Sequence, residues 1–227
     1  GMGAVYAGHD LTLDREVAIK TLLPAADAMR FVTEARITAR LPHPNIPPVH
    51  ALGALPDGTP WLAMKLIHGR TLAKLLPSRD REGAGSAQLI QIFEQIAQAV
   101  GFAHSRGIIH RDLKPHNVMV GEFGEVQVMD WGLAKETASV EPASPGRESG
   151  GTGNDLHHTA AGTIMGTPGY MAPEQARGQV VDARADVFAL GSMLAAILTG
   201  KPAFVGATGH ETIQKAADAD LADVRER

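Results

Sequence analysis

The order of structural signals predicts an α+β fold, a small β-rich lobe followed by a larger, mainly helical lobe. Three observations carry that expectation. Short β-type runs crowd the early part of the chain, longer apolar stripes at helical spacing follow, and no internal repeat interrupts the series.

Residues 1 to 23 read as strand, turn, strand, with Val17-Ala18-Ile19 as the β-type run. Helical spacing then links Phe31, Ala35, Ile37 and Leu41, which predicts a helix over Ala28 to Leu41 that Pro42 stops. A loop begins at His43-Pro44-Asn45, and Trp61 to Ile67 is the next strand. Ile92, Phe93, Ile96, Ala99 and Val100 fall on one stripe, so Leu89 to Ala103 reads as an amphipathic helix. Short strands are expected at Val118 to Val120 and Val126 to Val128. From 136 to 162, Gly, Ser, Thr, Pro and Glu dominate, which predicts a mobile loop. Order is expected to return at Gly166, and Asp186 heads an apolar helix running through Leu198.

Composition narrows the class of function. A chain of 227 residues suits one large domain or two packed lobes. The formal charge of -4 gives no basic excess to attract nucleic acid or an anionic membrane surface. With no cysteine, disulfides, thiolate catalysis and Cys-ligated zinc are excluded, and a reducing, cytoplasmic setting fits. The longest nearly apolar stretch, Val187 to Leu198, is too short to span a bilayer and reads as a buried helix. The chain opens on a glycine turn with no leader pattern, so it is expected to begin at a cut.

The densest chemistry lies in His110-Arg111-Asp112-Leu113-Lys114-Pro115-His116-Asn117. A carboxylate, an ammonium and an amide share six positions of one loop. Asp112 is placed to orient a hydroxyl and accept its proton, Lys114 to neutralise a moving phosphate, and Asn117 to hold a divalent metal through its amide oxygen. Phosphoryl transfer needs mainly positioning and charge neutralisation, which these groups supply. An ammonium after an apolar strand, as at Lys20, needs an anion partner, and Glu34 on the predicted helix is the candidate.

The octet resembles the catalytic loop of protein kinases. Thirteen positions after Asn117, Asp130-Trp131-Gly132 resembles the family's Asp-Phe-Gly metal motif, with Trp131 as an apolar variant whose indole N–H needs a partner. Further on, Thr167-Pro168-Gly169-Tyr170-Met171-Ala172-Pro173-Glu174 is similar to the Ala-Pro-Glu motif and its preceding threonine, and Val17-Ala18-Ile19-Lys20 to the lysine strand. Order and rough spacing agree along the whole chain. The string from Pro173 to Gly178 and the presence of Lys114 are similar to bacterial-type serine/threonine members rather than tyrosine kinases.

The resemblance implies a two-lobe kinase fold: N-lobe 1–64, hinge 65–69, C-lobe 70–227 and activation segment 130–174. It implies ATP with Mg²⁺ or Mn²⁺, the metal on Asn117 and Asp130, and a Lys20–Glu34 pair touching the nucleotide phosphates. Gly1, Met2 and Gly3 would be the end of a glycine-rich loop over the phosphates. Val5, Ala18 and Met119 would enclose the adenine, Met64 would stand as gatekeeper, and the backbones of Lys65 and Ile67 would hydrogen-bond the base. Thr167 would bond Asp112 and Lys114, and Asp186 would support the catalytic loop, although a plain helix cap is its other reading. The first strand and about the last two helices of the family fold are expected to be missing, with the cation that Glu174 needs.

Protein substrates bearing Ser or Thr are the implied partners, with a transient homodimer for trans-autophosphorylation. Thr159 and Thr163 are the candidate phosphorylation sites, and Arg111, without an evident partner in the sequence, is the candidate reader. A nucleotide-binding pseudokinase is the alternative, against which intact Lys20, Asp112, Asn117 and Asp130 argue. A dinucleotide-binding enzyme is rejected, because a lysine strand follows Gly1-x-Gly3 where a parallel βαβ unit would need an acidic strand end. Adjacent His157 and His158 lack a third ligand and read as solvated.

Overall fold

The computed structural model describes residues 3–24, 26–76, 86–136 and 166–227. Gly1, Met2, His157, His158, Thr159, Thr163 and nearly all of the expected 136–162 loop lie outside them.

Strands β1 (Gly3–Asp10), β2 (Arg15–Leu22), β3 (Val49–Ala54) and β4 (Pro60–Lys65) form an antiparallel sheet in the order β1-β2-β4-β3. The β1–β2 turn closes because the Asp10 carboxylate accepts from the Thr12 and Leu13 amides. Helix α1 (Ala28–Ala39) starts at Asp27, whose side chain accepts from the Met29 and Arg30 amides. Its buried stripe, Phe31 with Ala35, packs under the sheet on Ala18, Leu62 and Met64. Strand β3 was not anticipated: its sequence, VHALGA, has weak β character, and pairing with β4 makes it a strand. The strand expected over Trp61 to Ile67 stops at Lys65, where the chain leaves the sheet.

Below lie β5 (Gly69–Thr71), α2 (Leu72–Leu75), α3 (Ser86–Ser105), β6 (Ile108–Ile109), β7 (Val118–Gly121), β8 (Val126–Val128) and β9 (Lys135–Glu136). The helices α4 (Pro173–Ala176), α5 (Ala183–Thr199), α6 (Gly209–Asp218) and α7 (Ala222–Arg225) follow. The main core joins Ile92, Ile96 and Val100 of α3 to Met193 and Ile197 of α5 and to Val118, Val126, Val128 and Trp131. Truncating one such isoleucine to alanine costs about 2–5 kcal/mol, so this core is a rigid base for the loops above it.

Asn45 ties the loop after α1 to this base. Its amide donates to Gln95 Oε1 at 2.9 Å and to the Val126 carbonyl at 3.0 Å, and its own carbonyl accepts from the Val128 amide at 2.8 Å. Helix α5 begins three residues earlier than expected. Asp182 caps it by accepting from the Arg184 amide, and Gly200 ends it in a left-handed conformation, φ 76°. Asp186 is therefore not the cap but a buried residue of the first turn. Among the described residues no helix is long and apolar enough to cross a membrane.

Candidate active site

Strand β6 delivers the chain to His110, which is fully buried, and then to the left-handed Arg111, φ 68°. A non-glycine residue pays roughly 1–2 kcal/mol for that conformation, so the surroundings must hold it. The Asp186 carboxylate, 1% exposed, does much of this: Oδ2 accepts from the His110 amide at 2.7 Å and Oδ1 from the Arg111 amide at 2.8 Å. His104 Nε2 adds a contact to Oδ2 at 2.8 Å. Buried carboxylates need such partners, and here they shape the loop leading to Asp112.

The His110 ring accepts from the Asp112 amide at Nδ1, so its proton sits on Nε2 and is donated to the Met129 carbonyl at 3.0 Å. The same ring packs on Trp131, with centroids 4.6 Å apart. Trp131, 1% exposed, gives its indole N–H to the Val128 carbonyl, the partner its burial required.

Asp112, Lys114 and Thr167 meet in a closed triangle. Thr167 Oγ1 donates to Asp112 Oδ1 at 2.8 Å, while Lys114 Nζ donates to Asp112 Oδ2 at 2.7 Å and to Thr167 Oγ1 at 2.8 Å. The Asn117 amide nitrogen donates to the Asp112 carbonyl at 2.9 Å. Among the described residues neither Asn117 Oδ1 nor the Asp130 carboxylate has a hydrogen-bond partner. Two hard oxygen donors of this kind suit Mg²⁺, which takes one or two protein ligands and completes its shell with water and phosphate oxygens. No cluster of three or more acidic or histidine ligands occurs among the described residues, so an all-protein metal cage is not what they offer.

Lys20 Nζ meets Glu34 Oε1 at 2.6 Å, with side chains only 12% and 7% exposed. Burial pushes the Glu34 carboxyl above its ordinary range, the Lys20 charge opposes that shift, and the neighbouring Asp130 carboxylate adds to it. Among the described residues Glu34 Oε2 is buried without a hydrogen-bond partner. Near this pair, a β-carbon on Gly3 would lie 2.6 Å from the Thr21 carbonyl, so only glycine lets β1 approach β2 so closely.

Asp130 is exposed and left-handed, φ 61°, and the segment after it is pinned by two guanidiniums. Arg30 Nε donates to the Gly132 carbonyl at 2.9 Å and Arg111 Nε to the Leu133 carbonyl at 2.7 Å. Burial and then the Arg30 charge pull the Arg111 pKa down. Arg111 was expected to lack a partner, and this corrects that expectation: the fold returns the residues after Asp130 to within its reach.

In the expected adenine region, Ala18 pairs with Met64 across β2 and β4, Val5 pairs with Lys20, and Met119 is half-buried on β7. Among the described residues the Ile67 backbone has no hydrogen-bond partner. Lys65 gives its N–H to the Pro48 carbonyl, so that donor is already occupied. Sequence reasoning missed Arg30 and Asn45. Arg30 had one available signal, its place one helical turn before Glu34 on the same face of α1.

A family model described as a protein kinase domain matches residues 1–226. The chain is 36% identical over 230 residues to the DNA damage-responsive serine/threonine-protein kinase RqkA of Deinococcus radiodurans, covering 100% of this chain and 32% of that protein. It is 40% identical over 214 residues to the serine/threonine-protein kinase PknB of Mycolicibacterium smegmatis, covering 91% and 32%. It is 35% identical over 231 residues to the serine/threonine-protein kinase PknD of Protochlamydia amoebophila, covering 93% and 23%. The chain thus spans a third or less of the curated relatives it matches.

Proposed function

The chain belongs to the protein kinase family, and on that premise we propose that it transfers the γ-phosphoryl group of ATP to serine or threonine hydroxyls of proteins, using Mg²⁺ or Mn²⁺. The carrying observation is the Asp112–Lys114–Thr167 triangle. Asp112 orients the incoming hydroxyl and takes its proton as the oxygen bonds to phosphorus and ADP leaves. Lys114 and Thr167 hold the carboxylate in the orientation that reaction needs, and Lys114 offsets charge on the moving phosphoryl. The metal, when bound, would neutralise phosphate charge from Asn117 and Asp130.

Lys20, steadied by Glu34, would bind the nucleotide phosphates with the Gly1–Gly3 end of the glycine-rich loop. Val5, Ala18, Met64 and Met119 would enclose the base, with the Lys65 carbonyl and the Ile67 backbone as its hydrogen-bond partners. Thr159 and Thr163 are proposed as trans-autophosphorylation sites, read by Arg111 with Arg30 close by, in a cytoplasmic setting where ATP is supplied. A transient homodimer would serve that reaction.

Transfer of label from γ-labelled ATP to a generic protein substrate tests the reading. Wild type should label serine or threonine, and Asp112→Asn should be slower by about 10²- to 10⁴-fold with nucleotide binding retained. Equal rates would remove Asp112 from its role. ATP binding without transfer by wild type would favour the pseudokinase alternative.

A further inference from the structure

Gln175 lies just past the Ala172-Pro173-Glu174 motif, is 6% exposed, and belongs to none of the groups assigned above. Its amide works at both ends. Oε1 accepts from the Ala172 amide at 3.1 Å, and Nε2 donates to the Arg111 carbonyl at 2.8 Å. The first bond is ordinary capping of the short helix α4. The second crosses 64 residues of sequence to a different loop.

Its target matters. The Arg111 carbonyl belongs to the peptide that leads into Asp112, and Arg111 is one of four left-handed non-glycine residues among the described ones. The Asp186 carboxylate grips this turn through its amide groups. Gln175 grips it through the carbonyl, from the opposite polarity. A third strand of chain meets them here. A β-carbon on Gly166 would sit 3.3 Å from the Arg111 carbonyl oxygen and 3.5 Å from Gln175 Nε2. Gly166 immediately precedes Thr167, whose hydroxyl donates to Asp112. The two segments that contribute the Asp112–Thr167 hydrogen bond therefore come close together one residue upstream on each side, beside one buried glutamine amide that bonds the first of them.

We propose that Gln175 is a positioning residue for phosphoryl transfer: it sets the Arg111–Asp112 peptide against the Gly166–Thr167 segment so that Asp112 and Thr167 meet. This rests on the kinase reading above. Side chains that cap α4 equally well but cannot donate to Arg111 should not replace it.

Two variants of the full-length protein separate positioning from capping. Gln175→Glu keeps the length and an acceptor for the Ala172 amide but loses the donor. Gln175→Met keeps the shape and loses both bonds. Each should lower kcat for a Ser/Thr peptide by about tenfold or more, with KM for ATP changed less than twofold, the size expected when one buried hydrogen bond to the loop is lost. A smaller loss in Gln175→Glu, or an effect carried by KM for ATP, overturns the proposal and leaves a helix cap. Amide exchange followed by mass spectrometry reports the same coupling without any turnover. Peptides spanning 108–114 should exchange faster in Gln175→Glu while those spanning 15–22 match wild type, and unchanged 108–114 exchange overturns it. If wild type itself transfers no phosphate, the kinase reading fails, while the exchange result still decides whether Gln175 joins the two loops.

Discussion

Removing the Thr167 hydroxyl is the sharpest test of the proposed mechanism. In Thr167→Ala, Asp112 Oδ1 loses a donor at 2.8 Å and Lys114 Nζ loses one of its two acceptors. The carboxylate keeps Lys114 at Oδ2, so it stays anchored at one end and is free to rotate at the other. A hydrogen bond to a charged group contributes about 1.5–3 kcal/mol. If that is expressed in the transition state, kcat falls by about 10- to 150-fold. KM for ATP should hold, because Thr167 touches neither Lys20 nor Glu34 in the structure. Thr167→Ser restores the hydroxyl and should recover most of the rate. Steady-state phosphorylation of a Ser/Thr peptide measures both quantities. An alanine variant within threefold of wild type, or a serine variant as slow as alanine, would show that the triangle does not serve catalysis.

Three other perturbations follow from the same geometry. Asp130→Ala should blunt the Mg²⁺ dependence of nucleotide affinity more than Lys114→Ala does, and identical metal titrations of wild type and Asp130→Ala would exclude Asp130 as the ligand. Because the folded Glu34 carboxyl titrates above its ordinary value of 4.5, the folded state holds more protons than the unfolded one. Stability from this group is therefore full below 4.5 and lost as pH rises through the folded value, so denaturant melts of Glu34→Gln should show a shallower decline over that window; equal slopes would refute it. Mass spectrometry of active protein should find phosphate on Thr159 or Thr163. The Thr159→Ala/Thr163→Ala double variant should be much slower, whereas full activity in the double variant would leave those threonines without a regulatory role.

The sequence alone settled what depends on neighbours along the chain. Asp112, Lys114 and Asn117 fall within one loop, so their closeness to one another was legible from spacing. The apolar stripes of α1 and α3 repeat at helical period, so those helices and their buried faces were legible too. Lys20 needed an anion, and Glu34 stood on the next helix. Tertiary structure decided what depends on residues far apart. Arg30 reaches Gly132 across 102 positions, Asp186 reaches His110 across 76, and Gln175 reaches Arg111 across 64. Asp182 and Asp186 look alike as helix-start residues, and only packing made the first a cap and the second a buried brace. Strand β3 likewise exists because β4 offers it a ladder. Local pattern reports propensity and burial, whereas the pairing of a particular donor with a distant acceptor is chosen by the packed core that brings them within 3 Å, and no periodicity in the chain records that choice.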